Sequence, residues 1–425
     1  MKKVYLGFLG GGNIGGCVYR LIDNMKEELQ TRCGIDLEVK KVLVKDLETF
    51  IPNGIPVDRL VFDRAEIMED PDISIVAEFM GGEHPAADWA LEALQHGKTI
   101  VTANKVMLAL NWHRLQAAAQ EHGCGLYYEA SVGGAVPIIA VLNDSLQANR
   151  VEKLMCIING TTNYILSRMY KNNEDYALVL KDAQRLGLAE PNPTFDVEGM
   201  DAAYKLSIMA SLAFHGRVTY ENVYREGITG VTAEDIACGR DMGYVLKLLA
   251  IAKRSGSDVE VRVHPTFVPE NHPLARVDGS LNACYIYGHS CEDMMLQGFG
   301  AGTPTASAVV SDIIHAATNT VHPFPNFANT AEPSPDLHFN DNWTTKYFIR
   351  LSAADEAGVL AKAAACFAEE NISIATAMQK AGAAEDGRVT LIVVTHEATE
   401  QSLQAALARM DSNSCRVENV IRVEE

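Results

Sequence analysis

Chemistry in this chain starts at Gly10-x-Gly12-x-x-Gly15, a run that includes Asn13 and Ile14. It sits between an apolar stretch at residues 4–9 and apolar positions Val18, Leu21, Ile22 and Met25 at helical spacing. A strand, a glycine turn and a helix in that order put bare backbone N–H groups at a helix N-terminus, where a pyrophosphate can approach without meeting a Cβ. A purely structural glycine turn is the alternative. The next strand should end beside the ribose of such a ligand, and there the chain reads Val44-Lys45-Asp46. Lys45 is a cation for a 2′-phosphate, which favours NADP; Asp46 is a carboxylate for a ribose hydroxyl, which favours NAD. An ordinary solvated turn would use the same two residues.

Thr102-Ala103-Asn104-Lys105 closes a later strand, so it lies at the carboxyl edge of the sheet, where open α/β folds bind ligands. Lys105 is there either a ligand contact or a solvent-facing lysine. Asp196, Asp201 and Lys205 follow, with Glu190 upstream in Glu190-Pro191-Asn192-Pro193 and with Asp201 and Lys205 four apart on an expected helix. The plain reading is a surface ion pair. Against it, Leu206, Ile208, Met209 and Leu212 make that helix apolar enough to be mostly buried, and a buried lysine is costly unless paired or functional. A lysine among carboxylates can hold a proton for an alcohol/carbonyl interconversion. Farther on, a second glycine turn ending at Gly302 enters a helix at Thr303-Pro304 and either closes over the cofactor or is a structural turn.

The elements that must position these groups follow from periodicity. Apolar runs at 4–9, 37–44, 73–79 and 99–102 alternate with helical stretches such as 85–96, the pattern of a doubly wound, Rossmann-type parallel sheet. A second α/β region has strands at 151–158, 259–268 and 283–287 and helices at 176–186 and 201–214. A proline-rich linker precedes a tail that reads βαββαβ: 347–351, 358–369, 372–379, 388–395, 400–410 and 415–423. The expected domains are therefore 1–135 plus about 300–325 for nucleotide binding, 136–299 for substrate and oligomerisation, a linker at 326–344 and a C-terminal unit at 345–425. A chain of 425 residues has room for about three such domains.

Composition removes other classes. Hydrophobic residues at 48% and charged residues at 21% belong to a folded globular protein, and a formal charge of −19 repels nucleic-acid backbones and anionic lipid. The longest apolar stretch after the first strand, 132–142, contains Pro137 and is too short to span a bilayer, so no membrane segment is expected. The opening MKKVYLGFLGGG has a basic start and an apolar run but no A-x-A-type cleavage site, and reads as a buried strand. Nine cysteines without a C-x-x-C pair fit a reducing cytoplasm.

Taken together and in order, GGGNIGG, TANK, YEASVGGAVPII, NGTTNYIL, EPNPTFDVEGMDAAYKL and GFGAGTPTASAVVSD resemble the homoserine dehydrogenase family, and the tail resembles an ACT regulatory domain. The resemblance implies NADPH- or NADH-dependent reduction of L-aspartate 4-semialdehyde to L-homoserine, on the branch towards threonine and methionine. It implies a catalytic set of Lys205 as proton donor with Asp201 and Asp196, and substrate contacts from Glu190 and Lys105. The nucleotide would meet Gly10, Gly12, Asn13, Ile14, Gly15, Lys45, Thr102, Lys105 and Gly302. A monovalent cation (Na+ or K+) would be held by the Glu129 region and the carbonyls of Val132, Gly134 and Val136. Threonine as an effector and a homodimer or homotetramer are implied as well. Asn192 stands where many members carry an acid, and Ala357 where the ACT pattern commonly has proline.

Two rival readings are kept. Another Rossmann oxidoreductase would need a His/Arg pair or a nucleophilic cysteine in a comparably specific context, which the chain lacks. A non-catalytic ACT amino-acid sensor would have no need of Lys205, Asp201 and Glu190.

Overall fold

The computed structural model describes residues 2–47, 53–318, 332–380 and 387–424. The chain packs as two compact units. One comprises Met1–Leu154, Ala203–Val223 and Asn282–Leu337; the other comprises Met155–Ala202, Tyr224–Leu281 and His338–Glu425. The C-terminal stretch, expected to be a body of its own, thus packs inside the second unit. Among the described residues no helix is long and apolar enough to cross a membrane. All nine cysteine thiols are free.

The first unit is built on a six-stranded parallel sheet of β1 (Lys2–Leu9), β2 (Ile35–Leu43), β3 (Leu60–Val61), β4 (Ile73–Glu78), β5 (Thr99–Thr102) and β6 (Leu126–Tyr127). Their order is β3-β2-β1-β4-β5-β6, so the chain reverses direction across the sheet between β1 and β4, the place where such sheets open a crevice. Leu6, Phe8, Val42 and Val101 are fully buried, as near-continuous apolar strands with helices on both faces must be. Helix Thr303–Thr318, some 170 residues beyond β6 in the chain, returns Ala306, Val309, Val310 and Ile313 to this same core, as the split nucleotide domain requires.

The second unit carries a sheet in which strand Tyr244–Ser255 pairs antiparallel with Asp258–Pro269. The free edge of Asp258–Pro269 is then covered in three parallel two-residue pieces. His338–Phe339 lies on Asp258–Val259, Tyr224–Arg225 on Arg262–Val263, and Arg422–Val423 on Thr266–Phe267. The last of these belongs to strand Cys415–Val423, which continues the sheet through Thr344–Ala354, Arg388–Thr395 and Ile374–Gln379. With helices Val359–Glu369 and Glu400–Ala408 this is the expected βαββαβ order, with its own core around Tyr347, Ile349, Phe367 and Leu403.

The linker expected at 326–344 is only partly such: residues 326–331 lie outside the described ones, while His338–Phe339 is a paired strand and Thr344 begins another. Among the elements not expected are two strands of this sheet region. Tyr244–Ser255 is a continuous apolar run rich in Leu and Ala, which matches neither a period of two nor one of 3.6, and Glu292–Phe299 is a largely exposed strand with two charges at its start.

Candidate active site

The three glycines after β1 have three different reasons to be glycine. Gly10 has φ +110, a left-handed turn conformation, with Phe79 backbone atoms 3.3 Å from where a Cβ would stand. Gly15 opens the helix Asn13–Asn24 so close to the turn that a Cβ would lie 2.6 Å from the Gly10 carbonyl oxygen. Gly12 has nothing within 4 Å, and as N-cap of that helix it makes no side-chain cap, so open space faces uncapped N–H groups. A cavity of about 600 Å³ lies there, lined by Gly10 to Asn13, Val44, Lys45, Asp46, Phe62, Met80 and Trp89 among others. Lys45 is exposed and Asp46 half-buried on its rim. This concavity, with its bare backbone donors at the crevice of the sheet, fits a dinucleotide.

The carboxyl ends of β4 and β5 are tied together by Glu78, which the sequence reading passed over. It is fully buried and accepts from the Thr102 hydroxyl at 2.6 Å and the Met80 N–H at 2.7 Å, with the Asn104 amide at 3.4 Å. Burial pushes its carboxyl pKa up against these donors. The only sequence signal is a glutamate directly after the apolar run Ile73 to Ala77. Thr102 therefore serves as a fixed donor to Glu78. Asn104 caps helix Lys105–Glu121 by accepting from the Met107 N–H at 3.1 Å, which sets the half-buried Lys105 in the first turn.

Glu129 follows β6. Both of its carboxylate oxygens accept backbone N–H groups, from Ile139 at 3.0 Å and Ala140 at 2.7 Å, so its side chain caps the short helix after Pro137, while its carbonyl accepts from the Val132 N–H at 3.4 Å. Burial raises that carboxyl to about 7. Its own N–H donates to the buried Asp312 at 2.9 Å. Gly133 and Gly134 both have positive φ, and Gly134 packs so tightly on Gly300 that a Cβ would lie 2.6 Å from that residue's backbone. The glycines of the second turn thus serve close packing, with Asn282 against Gly300 as well, and Gly302 takes φ +77 before the helix.

In the second unit, Asn159 ends the strand before helix Gly160–Asn172 and caps it, accepting from the Thr162 N–H at 2.9 Å. Its amide nitrogen donates to Asp196 at 2.8 Å and to Asp201 at 2.9 Å. The two carboxylates singled out from sequence are thereby brought to one point, Asp201 buried and Asp196 half-buried. Asn192 accepts from the Thr194 N–H and hydroxyl and so shapes the turn into helix Thr194–Val197. Glu190 is exposed, its backbone carbonyl held by the Gln184 amide at 3.1 Å. Helix Met200–Phe214 begins in this unit with Asp201 and runs on into the residues of the first, where Lys205, one turn later, is half-buried on an otherwise largely buried helix.

Comparison with known proteins gives the family. A family profile described as homoserine dehydrogenase matches residues 137–314, and one described as the homoserine dehydrogenase NAD binding domain matches residues 10–129. Homoserine dehydrogenase of Bacillus subtilis is 38% identical over 419 residues, spanning 97% of this chain and 95% of its own. That of Corynebacterium glutamicum is 40% identical over 433 residues, spanning 100% and 96%. The crystal structure of a homoserine dehydrogenase from Thiobacillus denitrificans superimposes with a TM-score of 0.92 at 38% identity, covering 100% of this chain and 99% of that one. A hyperthermophilic archaeal homoserine dehydrogenase solved in complex with NADPH gives 0.65 at 25% identity, over 76% of this chain and 100% of that one. The chain belongs to the homoserine dehydrogenase family and is an oxidoreductase.

Proposed function

We propose that this chain reduces L-aspartate 4-semialdehyde to L-homoserine with NADPH, or less favourably NADH, and that Lys205 donates the proton. The observation that carries this reading is the gathering of Asp196 and Asp201 on Asn159, with Lys205 one helical turn beyond Asp201. The nicotinamide, when bound, supplies a hydride to the aldehyde carbon. The aldehyde oxygen then gains negative charge, which the Lys205 ammonium stabilises before giving up a proton to it. Asp201 and Glu190 meet the substrate ammonium, Asp196 supports Asp201, and Lys105 lies near cofactor and substrate. Gly10, Gly12, Asn13, Ile14 and Gly15 hold the pyrophosphate, Thr102 and Gly302 border the nucleotide, and Lys45 selects a 2′-phosphate.

A monovalent cation would sit on the carbonyls of Glu129, Val132, Gly134 and Val136. Supporting this, no hydrogen-bond donor among the described residues is directed at the Val132 or Gly134 carbonyl, whereas the Glu129 carbonyl also accepts from the Val132 N–H at 3.4 Å and the Val136 carbonyl from the Ile138 N–H at 2.7 Å. The C-terminal βαββαβ module is taken as an ACT domain that binds threonine beside Gly358 and Asn371, and the active form as a homodimer or homotetramer. Gly358, at φ +92, precedes helix Val359–Glu369 without a side-chain cap, which leaves N–H groups for a carboxylate.

The test is NADPH oxidation with aspartate semialdehyde. The wild-type chain should turn over, and Lys205→Ala should lose turnover by at least a thousandfold while binding NADPH within a few fold of wild type. A Lys205→Ala variant with near-normal kcat would remove the lysine from the mechanism. A chain that binds threonine yet never turns over would instead be a sensor.

A further inference from the structure

The NGTTNYIL segment marks the family, but nothing so far gives its first residue a task in the reaction. Asn159 is buried, with 5% of its surface exposed. Its amide orientation is unambiguous: Oδ1 accepts from both the Thr162 N–H and the Thr162 hydroxyl at 2.9 Å, so the NH2 group faces the carboxylates. One proton goes to Asp196 and the other to Asp201, at 2.8 and 2.9 Å. Two bonds diverging from one trigonal nitrogen hold the two acceptor oxygens roughly 5 Å apart. At that separation two carboxylates repel, and a shared neutral donor offsets part of the repulsion.

The platform under Asn159 is itself immobilised. Asn163, one turn along the same helix, donates to the carbonyls of Val277 at 3.0 Å and Leu281 at 3.2 Å. A Cβ on Gly160 would lie 2.9 Å from the Ser280 carbonyl oxygen, so the first turn of the helix presses directly on that backbone. The fully buried Lys247 donates to the Val277 carbonyl at 2.6 Å from the other side. The capped N-terminus of a helix of 13 residues thus stands against the two acids.

We propose that Asn159 is a positioning residue of the reaction, fixing through one amide group where Asp201 and Asp196 stand relative to the substrate. This rests on the reading that Asp201 serves the reaction. Asn159→Ser keeps a good helix cap but cannot reach the carboxylates; Asn159→Asp keeps the cap and the shape but turns an acceptor on them. Both variants should melt within a few degrees of wild type and lose about a hundredfold in kcat/KM, the scale of a small misplacement of a reacting group.

Two readouts separate positioning from mere stability. In an Asp201→Asn background, Asn159→Ser should add little further loss, because the group it positions is already gone. The Asn159→Asp variant should recover towards wild type as pH falls, since its protonated carboxyl can donate again. If Asn159→Ser and Asn159→Asp stay within threefold of wild type while Asp201→Asn is inactive, the positioning role is overturned and the role of Asp201 stands. If Asp201→Asn is itself fully active, both fall. Should either Asn159 variant fail to fold, the other decides.

Discussion

Residues announced themselves in this sequence when their neighbours in the chain were also their neighbours in space. Asp201 and Lys205 were legible because four residues make one helical turn, and the apolar positions after them marked the helix as buried. Asn159 and Glu78 were not, since their partners lie 37, 42 and 24 residues away and no local pattern encodes such distances. Lys247 was invisible for the same reason: it sits in the unrecognised strand Tyr244–Ser255 and meets Val277 and, at 3.6 Å, Asp278. Burial outweighs the nearby Asp278 and lowers its pKa from 10.5 to about 8. Between those two values the unfolded chain binds the proton that the folded chain has released, so this group makes stability rise as pH climbs from 8 to 10.5. The full swing is about 3 kcal/mol. Urea unfolding at the two ends of that window should show the rise in wild type and its loss in Lys247→Met; parallel pH dependence in the two proteins would refute the assignment.

Elements were read well where one face met solvent or where strands alternated with helices, and β5 and helix Met200–Phe214 were placed nearly to the residue. Strand Tyr244–Ser255, buried along most of its length, was missed, because a long apolar run without alternation carries no period. The glycine turn shows how an element separates ligand binding from folding. Gly12→Ala meets no atom in the ligand-free chain, so its melting temperature should stay within about a degree while NADPH affinity falls at least tenfold. Gly15→Ala drives a methyl group to 2.6 Å from the Gly10 carbonyl oxygen and should cost roughly 1–3 kcal/mol of stability as well. Thermal melts with and without NADPH distinguish the two; equal stability in both variants would contradict the packing described for Gly15.

At the scale of the whole molecule, composition could not report that the tail's last strand joins an earlier sheet and so packs with the second compact unit. Phe267 and Phe348 pack edge to face at 5.0 Å, and the fully buried Arg262 pairs with Glu424, next to the C-terminus. Asp235, also fully buried, holds Arg350 at 2.5 Å and Asn419 at 2.9 Å. A chain ending before Asn342 should therefore melt several degrees lower and precipitate on concentration, since these faces lose their cover. A truncated chain as stable and soluble as the full one would show the tail to be dispensable for folding.

The edge of strand Asp258–Pro269, closed by three small pieces drawn from distant parts of the chain, also sets a schedule. Tyr224–Arg225 leaves the ribosome before that strand, but His338–Phe339 follows it and Arg422–Val423 follows later still. At ordinary synthesis rates of about 5–20 residues per second, the Thr266–Phe267 end waits roughly 8–30 seconds for its partner. During that interval a nascent chain displays unpaired strand to its neighbours on the same messenger, the situation in which sheets join the wrong molecule. Slow codons late in the message would lengthen the wait and lower the yield of correctly folded protein.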